Sequence, residues 1–145
     1  MAGGTRAGAE SERAVPPTVL LVEDDADTRR MYETALAQDG LAVTGTSAAH
    51  EALEHALERQ PDVVLADIGL PGPADGVELA RRLREDARTA RIPIIAVTGL
   101  DLPDGEYAQE LFDDVIVKPV RLPMMLQRVR AAIARGRHLQ DQAGR

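Results

Sequence analysis

The sequence of 145 residues contains no cysteine, which excludes disulfide bonds, thiol catalysis and zinc sites built on thiolates. It also lacks any apolar run near the ~20 residues of a membrane span, and its start lacks the apolar segment of a signal peptide. We therefore expect a cytoplasmic protein that makes no membrane contact. The three histidines, at positions 50, 55 and 138, have no metal-ligand spacing and are expected at the surface.

Basic residues are in the minority, with 17 Lys and Arg against 24 Asp and Glu and a net charge of -7. A surface of this sign repels a phosphate backbone, so we expect no direct DNA binding. From Lys118 onward the balance of charge reverses, because this segment contains several arginines and only one acid, Asp141. We interpret this end as a solvated helix face rather than a binding surface.

The length predicts one domain with irregular ends. Residues 1–17 are rich in glycine, alanine and charge and end on two prolines, which predicts a flexible N-terminal tail. The folded domain is expected over residues 18–135, with a C-terminal tail over residues 136–145.

Short apolar runs alternate with helix-like segments along this domain. The strands are predicted at 18–22, 41–46, 62–66, 92–98 and 114–117. The helices are predicted at 26–39, from a cap at Ser47 to Pro61, from about Asp75, around 104–112, and from Pro123 to Arg135. Apolar strands that alternate with helices predict an α/β fold with a parallel sheet covered on both faces. Such sheets bind ligands at the carboxyl ends of their strands.

Acidic residues follow two of the predicted strands. Glu23, Asp24 and Asp25 come after the first strand, and Asp67 ends the third. Because right-handed crossovers bring these strand ends to one edge, we expect the acids to lie close together. Two carboxylates about 5 Å apart repel by roughly 3 kcal/mol at an effective dielectric of 20. The group therefore needs either a proton or a divalent cation, and oxygen ligands suit Mg²⁺ or Mn²⁺.

A hydroxyl and a fixed cation follow the other two strands at this edge, Thr98 after the fourth and Lys118 after the fifth. Together with a metal ion, these side chains would surround a phosphoryl group on several sides. The arrangement predicts that Asp67 is a nucleophile that accepts this group and forms an acyl phosphate.

Four segments resemble, in their order and spacing, the receiver domain of two-component response regulators. They are LLVEDDADTRRM, DVVLADIGLPGPADGVELARRLR, IPIIAVTG and VIVKPV. The resemblance implies a doubly wound, flavodoxin-like fold, with five parallel strands in the order 2-1-3-4-5 and five flanking helices. It also implies that a histidine kinase or a histidine phosphotransfer protein transfers a phosphoryl group to Asp67 in the presence of Mg²⁺.

The same resemblance assigns roles around Asp67. Glu23 and Asp24 form the acidic pair that holds the metal ion, with Asp24 as the direct ligand, and Gly69 offers its backbone carbonyl. Thr98 and Lys118 contact the phosphoryl group. The peptide bond that joins Lys118 to Pro119 is expected to be cis. Asp25 is expected to cap the first helix rather than to bind metal.

Position 115 departs from the family pattern, because Val115 stands where receivers often carry an aromatic switch residue. We therefore expect the change on phosphorylation to pass through the backbone after Thr98 and to present Tyr107, Leu111 or Phe112 to a partner. Since only ten residues follow Arg135, the expected output is contact with an unknown downstream protein. The chain is expected to be a signalling domain that catalyses only its own phosphorylation and dephosphorylation.

Two alternatives remain open. A degenerate receiver would act as a binding module independent of phosphorylation, although such a domain would be expected to have lost one of the site residues. A Mg²⁺-dependent phosphohydrolase also forms an aspartyl phosphate on a doubly wound sheet. Such enzymes carry a second acid two residues after the nucleophile, whereas this chain has Gly69 there.

Overall fold

The structure is a computed structural model that describes residues 15–68, 74–99 and 110–143. Five strands form one parallel sheet in the order β2-β1-β3-β4-β5. They are β1 (Thr18–Val22), β2 (Ala42–Thr46), β3 (Val63–Asp67), β4 (Ile94–Thr98) and β5 (Asp114–Val117). The predicted fold class and strand order are confirmed, and each strand lies within two residues of its predicted bounds.

Four helices lie within the described residues. They are α1 (Ala26–Gln38), α2 (Ala49–Arg59), α3 (Ala74–Glu85) and α4 (Leu122–Ala143). The fifth predicted helix, around 104–112, falls mostly outside the described residues. Within that predicted range the structure describes only residues 110–112, of which Glu110 and Leu111 are helical. Among the described residues, no helix is both long enough and apolar enough to cross a membrane.

Two helix ends differ from the prediction. Ser47 does not cap α2, because the N-cap is Ala48, whose N–H is bonded instead to the hydroxyl of Thr46 at 3.4 Å. Helix α4 continues through Gly136 to Ala143 and does not end at Arg135. Gly136 is buried, and a Cβ there would lie 3.0 Å from Cγ of Pro93, so this glycine permits a close helix contact instead of ending the helix.

The core consists of two layers, one on each face of the sheet. Leu20, Val64 and Ile94 point to the layer that α2 and α3 cover. Leu21, Leu65 and Ile95 point to the layer that α1 and α4 cover. Alternating residues of each central strand are thus buried on opposite faces, which explains why these strands are apolar nearly throughout.

Helix α3 approaches the sheet very closely at Gly76. A Cβ at this position would lie 3.0 Å from Cβ and 3.2 Å from Cα of Ile68, the residue after Asp67. Contacts this short with backbone atoms leave no room for a side chain. The glycine therefore sets how closely α3 packs beside the end of β3.

Candidate functional site

The carboxyl ends of four strands meet at one edge of the sheet. In the register, Val22 of β1 pairs with Ala66 of β3, and Asp67 pairs with Val97 of β4. At the far side, Thr98 pairs with Val117 of β5. The edge therefore collects the residues that follow β1, β3, β4 and β5, as the sequence predicted.

Asp67 and Lys118 form an ion pair at this edge. Nζ of Lys118 donates to Oδ2 of Asp67 at 2.7 Å, and the backbone N–H of Lys118 donates to the carbonyl of Thr98 at 2.7 Å. The Asp67 side chain is 8% exposed, whereas that of Lys118 is 37% exposed. Burial lowers the pKa of Lys118, but the hydrogen bond and charge of Asp67, together with Glu23, outweigh it and raise the pKa. Lys118 is thus a fixed cation beside the carboxylate.

Glu23 is the most buried acid of the site, with 2% exposure. Its Oε2 accepts the N–H of Asp25 at 3.0 Å, whereas its Oε1 is buried without a hydrogen-bond partner in the described part of the chain. Burial, followed by the neighbouring carboxyl groups of Asp67 and Asp24, raises the pKa of Glu23 to about 8. A buried carboxyl group without a donor either keeps a proton or faces a cation.

The acids after β1 have different roles. Asp25 is the N-cap of α1, where its Oδ2 accepts the backbone N–H of Thr28 at 2.9 Å and the Thr28 hydroxyl at 2.6 Å. These bonds lower the pKa of Asp25 and confirm the predicted cap. Asp24 is exposed and lines the same cleft as Glu23 and Asp67. It is therefore the acid of this loop that can turn toward an ion.

A cleft of about 870 Å³ opens above these carboxylates. It is bounded by the start of α1, the start of α2 with His50, and the first turns of α3. Within the described residues, no three His, Asp or Glu side chains close around an ion by themselves. An ion here would need backbone or water ligands as well, which suits Mg²⁺ because this ion keeps several waters.

The structure agrees with some of the remaining predictions for this site and leaves others untested. Thr98 is 6% exposed at the end of β4, and the bond between Lys118 and Pro119 is cis, as the resemblance implied. Gly69 lies outside the described residues, so its role stays a prediction. Leu111 and Phe112 are buried in the core, and Tyr107 lies outside the described residues, so the expectation that phosphorylation presents one of them to a partner stays a prediction.

Two features near the site were not predicted from the sequence. Arg29 of α1 donates to the carbonyl of Glu23 at 2.8 Å and so holds the backbone at the acidic pair. The ring of Tyr32, one turn further along α1, is buried, and its pKa is raised by burial. The sequence pattern assigns no site role to either residue, and only the position of α1 beside the strand ends reveals their place.

Two arginines of the basic C-terminal region form ion pairs with acids of other elements. Arg128 pairs with Asp114 of β5 at 3.0 Å, and Arg130 pairs with Asp39 after α1 at 2.6 Å. These arginines hold α4 against its neighbours. The interpretation that the rest of this region is a solvated helix face stays a prediction.

Comparisons with known proteins agree with the geometry. A family model, the response regulator receiver domain, matches residues 19–130. The transcriptional regulatory protein AfsQ1 of Streptomyces coelicolor is 36% identical over 124 residues, which cover 83% of this chain and 52% of the relative. The polar-differentiation response regulator DivK of Brucella anthropi is 29% identical over 119 residues, which cover 81% of this chain and 96% of the relative.

Solved structures show the same fold. The receiver domain of the sensor histidine kinase PA1611 from Pseudomonas aeruginosa superimposes with a TM-score of 0.73 at 28% identity, covering 83% of this chain and 99% of that one. That structure is described as having a magnesium ion coordinated in its active site cleft. This chain spans about half the length of the curated transcriptional regulators that it matches. The fold, the order of the strand-end residues and the family match show that the chain belongs to the response regulator receiver domains of two-component systems.

Proposed function

We propose that this domain accepts a phosphoryl group on Asp67 from the phosphohistidine of a histidine kinase or a histidine phosphotransfer protein. The observation that carries the proposal is the ion pair of the buried Asp67 carboxylate with Lys118, 2.7 Å apart at the sheet edge. A carboxylate in this position has an open cleft before it and a cation beside it.

The reaction needs few protein groups. A carboxylate oxygen of Asp67 attacks the phosphorus atom, the P–N bond to the donor imidazole breaks, and its electron pair stays on the imidazole. Lys118 balances the negative charge that moves onto the new acyl phosphate, and the Thr98 hydroxyl donates to a phosphoryl oxygen. In a separate hydrolysis step water attacks the phosphorus atom, the P–O bond to Asp67 breaks, and the carboxylate and inorganic phosphate are released, which ends the signal.

The acidic pair fits a divalent cation, because the buried Oε1 of Glu23 has no donor in the described chain and three carboxyl groups adjoin. Glu23, Asp24, Asp67 and the carbonyl of Gly69 would hold Mg²⁺. When bound, this ion would neutralise charge on the phosphoryl oxygens during transfer. Removal of the ion should therefore stop phosphorylation without unfolding the domain.

The proposed role is signalling, in the cytoplasm, with catalysis limited to the domain's own phosphorylation and dephosphorylation. The output is contact with a downstream protein. The matched residues cover only about half of each transcriptional relative, so the activities of those relatives are not transferred to this chain.

The test is the intact mass of the protein after incubation with acetyl phosphate and Mg²⁺. Wild type should gain one phosphoryl group, and Asp67→Asn should gain none. Asp86→Asn is a matched control, because Asp86 is an acid outside the cleft that pairs with Arg88. Absence of a mass gain in the wild type, or a gain in Asp67→Asn, would contradict the proposal.

A further inference from the structure

Arg84, near the end of α3, uses every N–H of its guanidinium group. Nε and Nη2 donate to the carbonyl of Leu111 at 3.1 and 2.9 Å, and Nη1 donates to the carbonyls of Ala90 and Ile92 at 2.9 and 2.7 Å. Nη2 also donates to Oδ2 of Asp113 at 2.7 Å. The five donors of an arginine are thus all paired, and three of the four acceptors are main-chain carbonyls.

Asp113 extends this junction to the sheet. Its Oδ2 also accepts the N–H of Ile94, the first residue of β4, at 2.8 Å, and its own N–H donates to the Ile94 carbonyl at 2.8 Å. The Leu111–Asp113 corner, which leads into β5, is therefore bonded to β4 directly and to α3 through Arg84, which also binds the turn before β4. The Arg84 side chain is 20% exposed, so water screens these charge-assisted bonds only partly.

The same corner buries two large apolar side chains. Leu111 and Phe112 are 8% and 6% exposed and pack in the core layer with Ile94 and Ala96. To reach a partner, they would have to leave this layer and break the bonds of Arg84. Both costs oppose movement of the corner.

We propose that Arg84 is a fixed anchor and that the Leu111–Asp113 corner keeps its place when Asp67 is phosphorylated. This inference rests on the proposed function. It implies that the signal leaves the site without moving this corner, and that Leu111 and Phe112 are core residues and not output contacts.

The chemistry of the junction explains why an arginine is needed. Its planar fork reaches separate acceptors in different directions, whereas a lysine places its three donors on one atom. Arg84→Lys keeps the charge but cannot reach all four acceptors. The corner should then open more often, although the site around Asp67 is unchanged.

Amide hydrogen exchange on the full chain, followed residue by residue by NMR, tests the inference. The samples are wild type, Arg84→Lys and the control Arg88→Lys, each with and without beryllofluoride and Mg²⁺ as a mimic of the acyl phosphate. Arg88 likewise donates to a carboxylate, through Nε and Nη2, but within the described residues its guanidinium group bonds only to Asp86, two positions earlier in the chain.

In wild type, the mimic should change the amides of Asp67 and Lys118 and should leave exchange at Asp113 and Ile94 within ~2-fold. In Arg84→Lys, exchange at Asp113 and Ile94 should be at least ~30-fold faster, since charge-assisted bonds are lost. In Arg88→Lys it should not change. If Arg84→Lys does not fold, Asp113→Asn replaces it, with an expected acceleration of at least ~3-fold at Ile94.

The outcomes separate the two proposals. If the mimic changes exchange at Asp67 and Lys118 and also at Asp113 and Ile94, the proposal of a fixed corner is wrong, whereas the proposed phosphoacceptor function stands. If no amide responds to the mimic, the proposed function fails. The role of Arg84 is then tested by the samples without the mimic. If exchange at Asp113 and Ile94 in Arg84→Lys equals that in wild type, Arg84 does not anchor the corner.

Discussion

Lys118 and Asp67 pair at 2.7 Å although 51 residues separate them in the chain. The strands that present them, β5 and β3, are not neighbours, because β4 lies between them. The ion pair therefore spans the end of β4, where Thr98 lies. A group bound to Asp67 meets the cation and the hydroxyl together.

This ion pair should control the reactivity of Lys118, which is the only lysine in the sequence. Asp67 raises the pKa of Lys118, so Asp67→Asn should free more of the neutral amine at pH 8. We expect acylation of Lys118 to be faster in this variant, because a lower pKa leaves more of the amine neutral. Peptide mass analysis separates Lys118 from the N-terminal amine. An unchanged rate in Asp67→Asn, relative to Asp86→Asn, would show that the pair does not persist in solution.

The sheet could be predicted almost completely from the sequence. Its strands are short, apolar runs in an alternating pattern, and burial on both faces requires that composition. The strand ends determine which polar residues meet, so the sequence predicts that Asp67, Thr98 and Lys118 lie together. Topology was sufficient, since right-handed crossovers bring all parallel strand ends to one edge.

Features that depend on contacts between distant elements could not be predicted. Gly136 reads as a helix end, but in the structure it lies inside α4 against Pro93. Arg84 reads as one of many surface arginines of α3, and only the fold shows that its guanidinium meets the carbonyls of Ile92 and Leu111. Ser47 has the right residue type for a cap, but the N-cap is Ala48 and no side chain of the described residues caps α2. A local sequence pattern cannot show these contacts, because they join residues that are far apart in the chain.

Asp24 and Asp25 should contribute differently to Mg²⁺ binding. The Asp25 carboxylate is occupied by two bonds from Thr28, whereas Asp24 faces the cleft beside Glu23. Asp24→Asn should weaken Mg²⁺ binding at least ~10-fold in calorimetric titrations, the range for groups that support a metal site, and Asp25→Asn should weaken it less, because its carboxylate caps α1. Equal weakening by the two substitutions would count against this division of roles.

Gly76 should be the glycine of the site region that tolerates no side chain. Gly76→Ala would place a methyl group against Ile68, including its Cα, and should lower the free energy of unfolding by ~1–3 kcal/mol in urea titrations. Gly99→Ala is the control, because a Cβ there meets no atom within 4 Å. In the background Ile68→Ala the cost of Gly76→Ala should decrease, since part of the obstructing side chain is gone. Equal costs in both backgrounds would place the strain elsewhere.

Glu23 should make the stability of the metal-free domain depend on pH. Its pKa is raised in the folded state to about 8 from a reference value of 4.5, so between these values the folded protein holds a proton that the unfolded chain releases. The free energy of unfolding should therefore decrease as pH rises from 5 to 8, by up to ~1.4 kcal/mol per pH unit from this group.

Glu23→Gln isolates that contribution. The amide does not titrate, and it can donate to the adjoining carboxylates, so the variant should be more stable than wild type at pH 8 in the presence of EDTA. With saturating Mg²⁺ the order should reverse, because the ion stabilises the acidic pair of wild type and binds the variant more weakly. Urea unfolding at pH 5, 6, 7 and 8, with EDTA and with Mg²⁺, measures both effects. If wild type and Glu23→Gln have the same pH dependence in EDTA, the buried Oε1 carries no proton and the carboxyl group must be stabilised by a group of the protein itself.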